Sequence, residues 1–107
     1  MMNRTTTALL FAASLATASV ALADAGQDLL QKNGCTACHA IDKKIIGPAY
    51  KDVAEKYRGD KGAAAKLEEK VKKGGSGVWG PVPMPPNTAV SDADIKADVA
   101  YVLSLKK

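Results

Sequence analysis

The residues able to do chemistry are few and they cluster: Cys35-Thr36-Ala37-Cys38-His39 puts two thiols and an imidazole within five positions. Two cysteines separated by two residues and followed at once by histidine form the attachment signal for c-type haem. The spacing has a mechanical reason. The two thiols can add to the two vinyl groups of one porphyrin, and the turn between them then aims the next imidazole at the iron. A zinc site would need four ligands, and after Cys35, Cys38 and His39 the chain has no other cysteine or histidine. A redox CxxC belongs to a βαβ context that this sequence lacks. A disulfide across a two-residue gap would remove little chain entropy.

An iron held by His39 keeps a sixth position, for which the chain offers methionine, lysine, tyrosine or water. Met84 is the candidate that the local sequence singles out. It stands in Val82-Pro83-Met84-Pro85-Pro86, where the prolines fix φ, remove backbone donors and forbid a helix. A methionine so pinned is poorly suited to filling gaps in a core, the usual use of its flexible side chain. His/Met ligation is an established arrangement for cytochromes c, and it raises the reduction potential.

Four helical stretches must position these groups, and no convincing strand is legible. The first spans about 24–33, with Asp24 as a candidate N-cap, Leu29 and Leu30 as apolar contacts and Gly34 as the left-handed stop. The second, about 49–58, puts Tyr50, Val53, Ala54 and Tyr57 on one stripe after Pro48. The third, about 61–73, lines up Ala63, Leu67 and Val71, carries Glu68/Lys72 and Glu69/Lys73 pairs, and ends at Gly74-Gly75. The fourth starts at Ser91 as N-cap, buries Ile95, Val99, Val102 and Leu103, and runs towards Lys106 and Lys107. The loops at 40–47 and 75–87 are long for so short a chain and read as wrapped around something that is not protein.

Residues 1–23 read as a cleaved secretory signal peptide. Arg4 precedes an uncharged stretch from Thr5 to Ala23 with Leu9-Leu10-Phe11 at its centre and Ala21-Leu22-Ala23 at its exit. An uncleaved anchor is the alternative, since nineteen residues could span a bilayer, and cleavage after Ala25 is the other position. The domain is then 24–107, in which Met84 is the sole methionine and His39 the sole histidine. The whole chain has 107 residues, is 47% hydrophobic and carries a formal +4. Loss of Arg4 lowers that charge by one, and two ionised haem propionates would remove about two more. Such a length allows one small domain with a thin core, the kind that gains from a covalent cofactor. Neither disorder nor a disulfide-dense scaffold is compatible with this composition.

These residues together resemble the small bacterial class I cytochromes c, most closely the cytochrome c-551/c-552 group. The resemblance rests on Gly34 through Asp42, Gly47 through Ala54, Gly77 through Pro81, Val82 through Asn87 and Val102-Leu103-Ser104. It implies an all-α cytochrome c fold of about four helices around one covalently bound haem c, with Cys35 and Cys38 as thioethers and His39 and Met84 as axial ligands. It further implies that the Pro48 carbonyl orients the His39 ring, that Trp79 offers its indole N–H to a haem propionate, and that Asn87 supports the Met84 sulfur. Lys70 stands where the group commonly has a propionate-binding arginine, and Tyr101 where it has a tryptophan.

The function so implied is a periplasmic one-electron carrier and not an enzyme, monomeric, with no nucleic-acid partner and no stable membrane insertion after cleavage. Its donor would be a bc1-type complex or other respiratory protein, and its acceptor a nitrite reductase of denitrification or a terminal oxidase. The electron would leave by the exposed haem edge near the thioethers, where Lys32, Lys43, Lys44 and Lys51 are candidates for steering an acidic partner. A haem enzyme or gas sensor with an open sixth site, and a haem subunit of a larger redox complex, are the competing readings.

Overall fold

The computed structural model describes residues 24–106, so the expected signal peptide and Lys107 lie outside the described residues. Helix α1 occupies 24–32 of these, and Asp24, expected as its N-cap, is itself helical. Gly34 ends this segment in the left-handed conformation, φ 77° and ψ 8°, which a glycine adopts without steric cost. A 3₁₀ turn, Cys35–Ala37, follows directly.

Helix α2, Tyr50–Lys56, is shorter at both ends than the sequence predicts, and its buried residues are Tyr50, Val53 and Ala54. Helix α3, Ala63–Lys73, begins two residues later than predicted. Asp60 explains that start, because its Oδ1 accepts a hydrogen bond from the Gly62 backbone N–H at 2.8 Å. Of the two charge pairs predicted on α3, Glu69 and Lys73 meet at 2.9 Å. Lys72 turns instead to Asp92 at 2.9 Å, joining α3 to the first turn of α4.

Helix α4, Asp92–Ser104, opens on Ser91, whose hydroxyl accepts from the Asp94 backbone N–H at 3.1 Å. It buries Ile95, Val99 and Val102 as predicted, leaves Leu103 only half-buried against expectation, and also buries Asp98, which the apolar stripe does not anticipate. The helix packs on both α2 and α3. At its crossing with α1, Gly26 lies so close to the Tyr101 ring that a Cβ there would meet Tyr101 Cδ2.

The segment expected to be irregular contains a small antiparallel ribbon, β1 (Gly75–Gly77) with β2 (Gly80–Met84), pairing Gly75 with Met84 and Gly77 with Gly80. Sequence reading misses it for a physical reason. Pro81 and Pro83 cannot donate to a ladder, and strands of glycine and proline lack the branched and aromatic residues that mark a pleated surface. The ribbon survives as an isolated pair with both outer edges open, where a missing donor is tolerated. Gly74 couples it to α3: its φ is 73°, and a Cβ would lie 2.5 Å from the Met84 carbonyl oxygen. Asn87 adds a second tie, its backbone N–H donating to Val71 O at 3.0 Å.

Ser91→Ala in the haem-loaded protein should cost about 1 kcal/mol and Ser91→Gly only a few tenths, as for N-caps in general. Denaturant midpoints at unchanged slope provide the measurement.

Candidate functional site

The buried core cluster consists of Leu30, Tyr50, Val53 and Val102, and all four also line one cavity of about 260 Å³. Core and cavity wall are thus the same surface. Cys35, Cys38, His39 and Met84 belong to that wall, the first three brought by the 3₁₀ turn and its exit and Met84 by β2.

The 3₁₀ turn forms because Gly34 reverses the chain after α1. Cys38 N–H and His39 N–H then both bond to Cys35 O, at 3.2 and 3.1 Å. This brings Cys35 and Cys38, both free thiols and partly buried, to the cavity together with the imidazole. The following loop folds back on the turn, with Ile46 N–H and Gly47 N–H donating to Cys38 O at 3.2 and 2.8 Å. That return delivers Pro48, whose carbonyl accepts from His39 Nδ1 at 2.8 Å. This orients the ring and leaves its other nitrogen, Nε2, as the one a metal would take. Tyr50 stacks on the same ring, centroids 5.0 Å apart and planes 23° from parallel.

Gly47 closes the histidine's surroundings from behind. A Cβ at this position would overlap the His39 ring at Cε1, with Nδ1 only 2.8 Å away. No side chain fits there without displacing the imidazole.

Across the cavity, Met84 ends β2 and is half-buried. Asn87 directs its Nδ2 to Val71 O at 3.1 Å and Pro85 O at 3.3 Å. Its amide hydrogens are therefore aimed at backbone carbonyls, and the expected support of the Met84 sulfur takes the form of fixing the strand. Trp79, 42% exposed, lies at the mouth with Lys56 Nζ 5.6 Å above its ring. Lys70 lines the cavity too, its Nζ packed against Gly75, where a Cβ would come within 2.6 Å. Ile46, Val78 and Val82 are exposed apolar residues around the same opening.

The lysines offered for steering are not equivalent. Lys44 lines the cavity, Lys32 and Lys43 are exposed, and Lys51 is held by Asp42 at 2.7 Å.

Sequence reading misses Gly47 and Asp98 as members of the site. Asp98 could have been found: it stands three residues after Ile95 and four before Val102, on the buried face of α4. It is 3% exposed and lines the cavity. Asn33 Nδ2 donates to its Oδ2 at 2.8 Å, while Oδ1 and the Tyr50 hydroxyl are buried without a partner. Burial pushes the proton affinity of Asp98, Cys35 and Tyr50 upward; Asn33 opposes this at Asp98 and the Asp98 charge adds to it at Cys35.

The donor set fits an iron porphyrin: two thiols one turn apart, an oriented imidazole, a thioether across the cavity and apolar walls between. Among the described residues no group of three or more His, Cys, Asp or Glu side chains could hold a bare metal ion, and no helix is long and apolar enough to cross a membrane.

The sequence model of the family "Cytochrome c" matches residues 23–106. The chain is 60% identical over 77 residues to cytochrome c-551 of Allochromatium vinosum, covering 72% of this chain and 82% of that one. It is 55% identical over 97 residues to cytochrome c-552 of Nitrosomonas europaea, covering 90% and 92% respectively. The crystal structure of wild-type Nitrosomonas europaea cytochrome c552 superimposes with a TM-score of 0.73 at 54% identity, covering 75% of this chain and 99% of that one.

Gly47→Ala should displace the His39 ring and cost roughly 1–3 kcal/mol, the usual range for overpacking. Unfolding midpoints of the haem-loaded variant and the His39 ring resonances report it.

Proposed function

The chain belongs to the cytochrome c family, and from that premise we propose that it is a periplasmic carrier whose single haem c is held axially by His39 and Met84. The cofactor is covalently attached haem c, and the protein is a small electron-transfer cytochrome and not an enzyme. The observation that carries the ligand assignment is the convergence of the Cys35–His39 turn and the proline-held Met84 on one apolar cavity.

Bound to Cys35 and Cys38 as thioethers, the haem supplies a centre that accepts and returns one electron. The rest is done by the chain. Pro48 O holds the Nδ1 proton of His39, so Nε2 keeps a fixed direction. Gly47 and Tyr50 restrict the same ring from two sides. Met84 is fixed by its flanking prolines and by the ties of Gly74 and Asn87 to α3. Side chains so restrained would keep their positions in both redox states, and little reorganisation would then oppose transfer. The thioether favours the reduced iron, and the apolar wall does the same by disfavouring net charge.

Trp79 and Lys70 stand at the cavity wall where N–H and ammonium groups would meet the propionates; a lysine gives a point charge there in place of a guanidinium fork. Lys32, Lys43 and Lys44 would steer an acidic redox partner to the open edge, with Lys51 contributing less because Asp42 holds it. In this reading residues 1–23 direct export and are removed, and the monomer moves electrons from a bc1-type or similar respiratory donor to a nitrite reductase or terminal oxidase.

Two experiments test this reading. The ferric protein should show the weak long-wavelength sulfur-to-iron band, and Met84→Ala should abolish it, lower the reduction potential and admit carbon monoxide to the ferrous form. A wild-type protein that lacks the band or binds carbon monoxide readily sinks the assignment. The double variant Cys35→Ser/Cys38→Ser should lose haem staining on denaturing gels and also cooperative thermal unfolding. Unchanged staining would refute thioether attachment.

A further inference from the structure

Asp98 is the one buried charged side chain among the described residues, and electron transfer as derived above makes no use of it. Its position is costly. α4 presents it beside Val99 and Val102, which form part of the apolar wall. A carboxylate shut away from water needs a cation or several donors to stay ionised. Asn33 provides one neutral amide hydrogen, at 2.8 Å on Oδ2. Oδ1 receives none.

We infer that Asp98 is a proton-binding site coupled to the haem, so that the carrier takes up a proton with its electron and releases it on oxidation. The inference rests on the haem occupying this cavity, as proposed above. The balance is simple. In the oxidised protein the Asp98 carboxylate lies in the wall around a ferric centre and stabilises its positive charge across a medium of low dielectric. Reduction adds one electron from the redox partner and removes that charge. The carboxylate, losing its counter-charge, takes one proton from solvent water and becomes a neutral acid, which can donate a hydrogen bond through the oxygen that now has no partner.

The surroundings favour the neutral form once the iron is reduced. From the end of α1 comes the Asn33 amide; from the 3₁₀ turn comes Cys35, a neutral thioether once the haem is attached. From α2 comes Tyr50, an uncharged phenol whose hydroxyl is likewise buried without a partner. On α4 itself, Asp94 adds a like charge that raises the Asp98 proton affinity further, after burial, the larger cause. The cations on the same cavity wall are Lys70 from α3 and Lys44 from the 40–49 loop.

The sign follows by linkage: a group that binds its proton more tightly in the reduced state makes reduction harder as pH rises. Wild-type protein should therefore lose up to tenfold in its reduction equilibrium constant per pH unit, about 59 mV for a one-electron couple. That decline lies between the proton affinity of Asp98 in the ferric form and its higher value in the ferrous form. Outside that window the potential levels off.

The test is potentiometric titration of the haem-loaded protein, wild type against Asp98→Asn and Asp98→Leu, with infrared difference spectra between the two redox states. Both variants should be flat across the wild-type window, and Asp98→Asn should sit at the wild type's acid-side potential. Wild type alone should gain a carboxylic-acid carbonyl stretch on reduction, a readout that needs no variant to fold. An undiminished slope in either variant assigns the proton to a propionate and overturns the proposal, as does a carbonyl stretch that persists in both. The sulfur-to-iron band, recorded in the same samples, separates the two ideas. If it is missing from wild type the ligand assignment fails; if it is present in all three and the slopes agree, only the role of Asp98 fails.

Discussion

The packing of this domain depends on one surface serving two purposes. Leu30, Tyr50, Val53 and Val102 form the buried cluster, and the same four side chains face the cavity. Ala49, Ala54, Ala63 and Ile95 are buried off the cavity wall, while Val99 joins the cluster in lining it, so a large part of the small buried apolar set faces the cavity. A domain of this size buries a smaller share of its surface than a larger one does and is marginal on that account. The covalent haem, by filling the space the four helices leave, supplies the missing interior. Attachment and folding are therefore a single problem here, and a change that loosens the haem loosens the helices as well.

The same constraint explains the irregular segments. A helix could not bring a carbonyl to His39 Nδ1 and then leave again within nine residues; the 40–49 loop does so because Cys38 O collects two backbone donors, Ile46 and Gly47. Met84 is carried by a strand and not by a helix: the β ribbon pairs it with Gly75, immediately beyond the end of α3. Gly74 makes the approach possible, since any larger residue would strike the Met84 carbonyl. The glycines and prolines that break the helical pattern in the sequence are what let the His39 and Met84 segments approach their neighbours so closely.

Much of this was legible beforehand, and the reasons differ from part to part. The haem motif was readable because its spacing is short and its residue types are rare. The stripes of α2 and α4 were readable because their period matches a half-buried helix: Tyr50, Val53 and Ala54 are buried, as are Ile95, Val99 and Val102. The Ser91 cap was readable because the interaction is local. What escaped depends on contacts between residues distant in sequence. Lys72 leaves its helical neighbour for Asp92, twenty positions on, and Asn87 spends its amide on Val71 and Pro85. The steric role of Gly47 becomes visible only when the loop has closed over His39.

Asp98 belongs to a third kind. Its place on the buried face follows from period alone, yet a stripe is read by its apolar members and a carboxylate within it passes as a surface residue. The structure shows that the helix cannot rotate it outward. Turning α4 far enough to expose Asp98 would withdraw Val99 and Val102 from the cavity and break the pairing of Lys72 with Asp92. Burying a carboxylate is costly, and the single hydrogen bond from Asn33 is a small return for it. A carboxylate that the packing holds in place, against its solvation and with half its acceptors unused, is best understood through the charge it faces. In this domain the charge that changes during function is the one at the centre of the cavity.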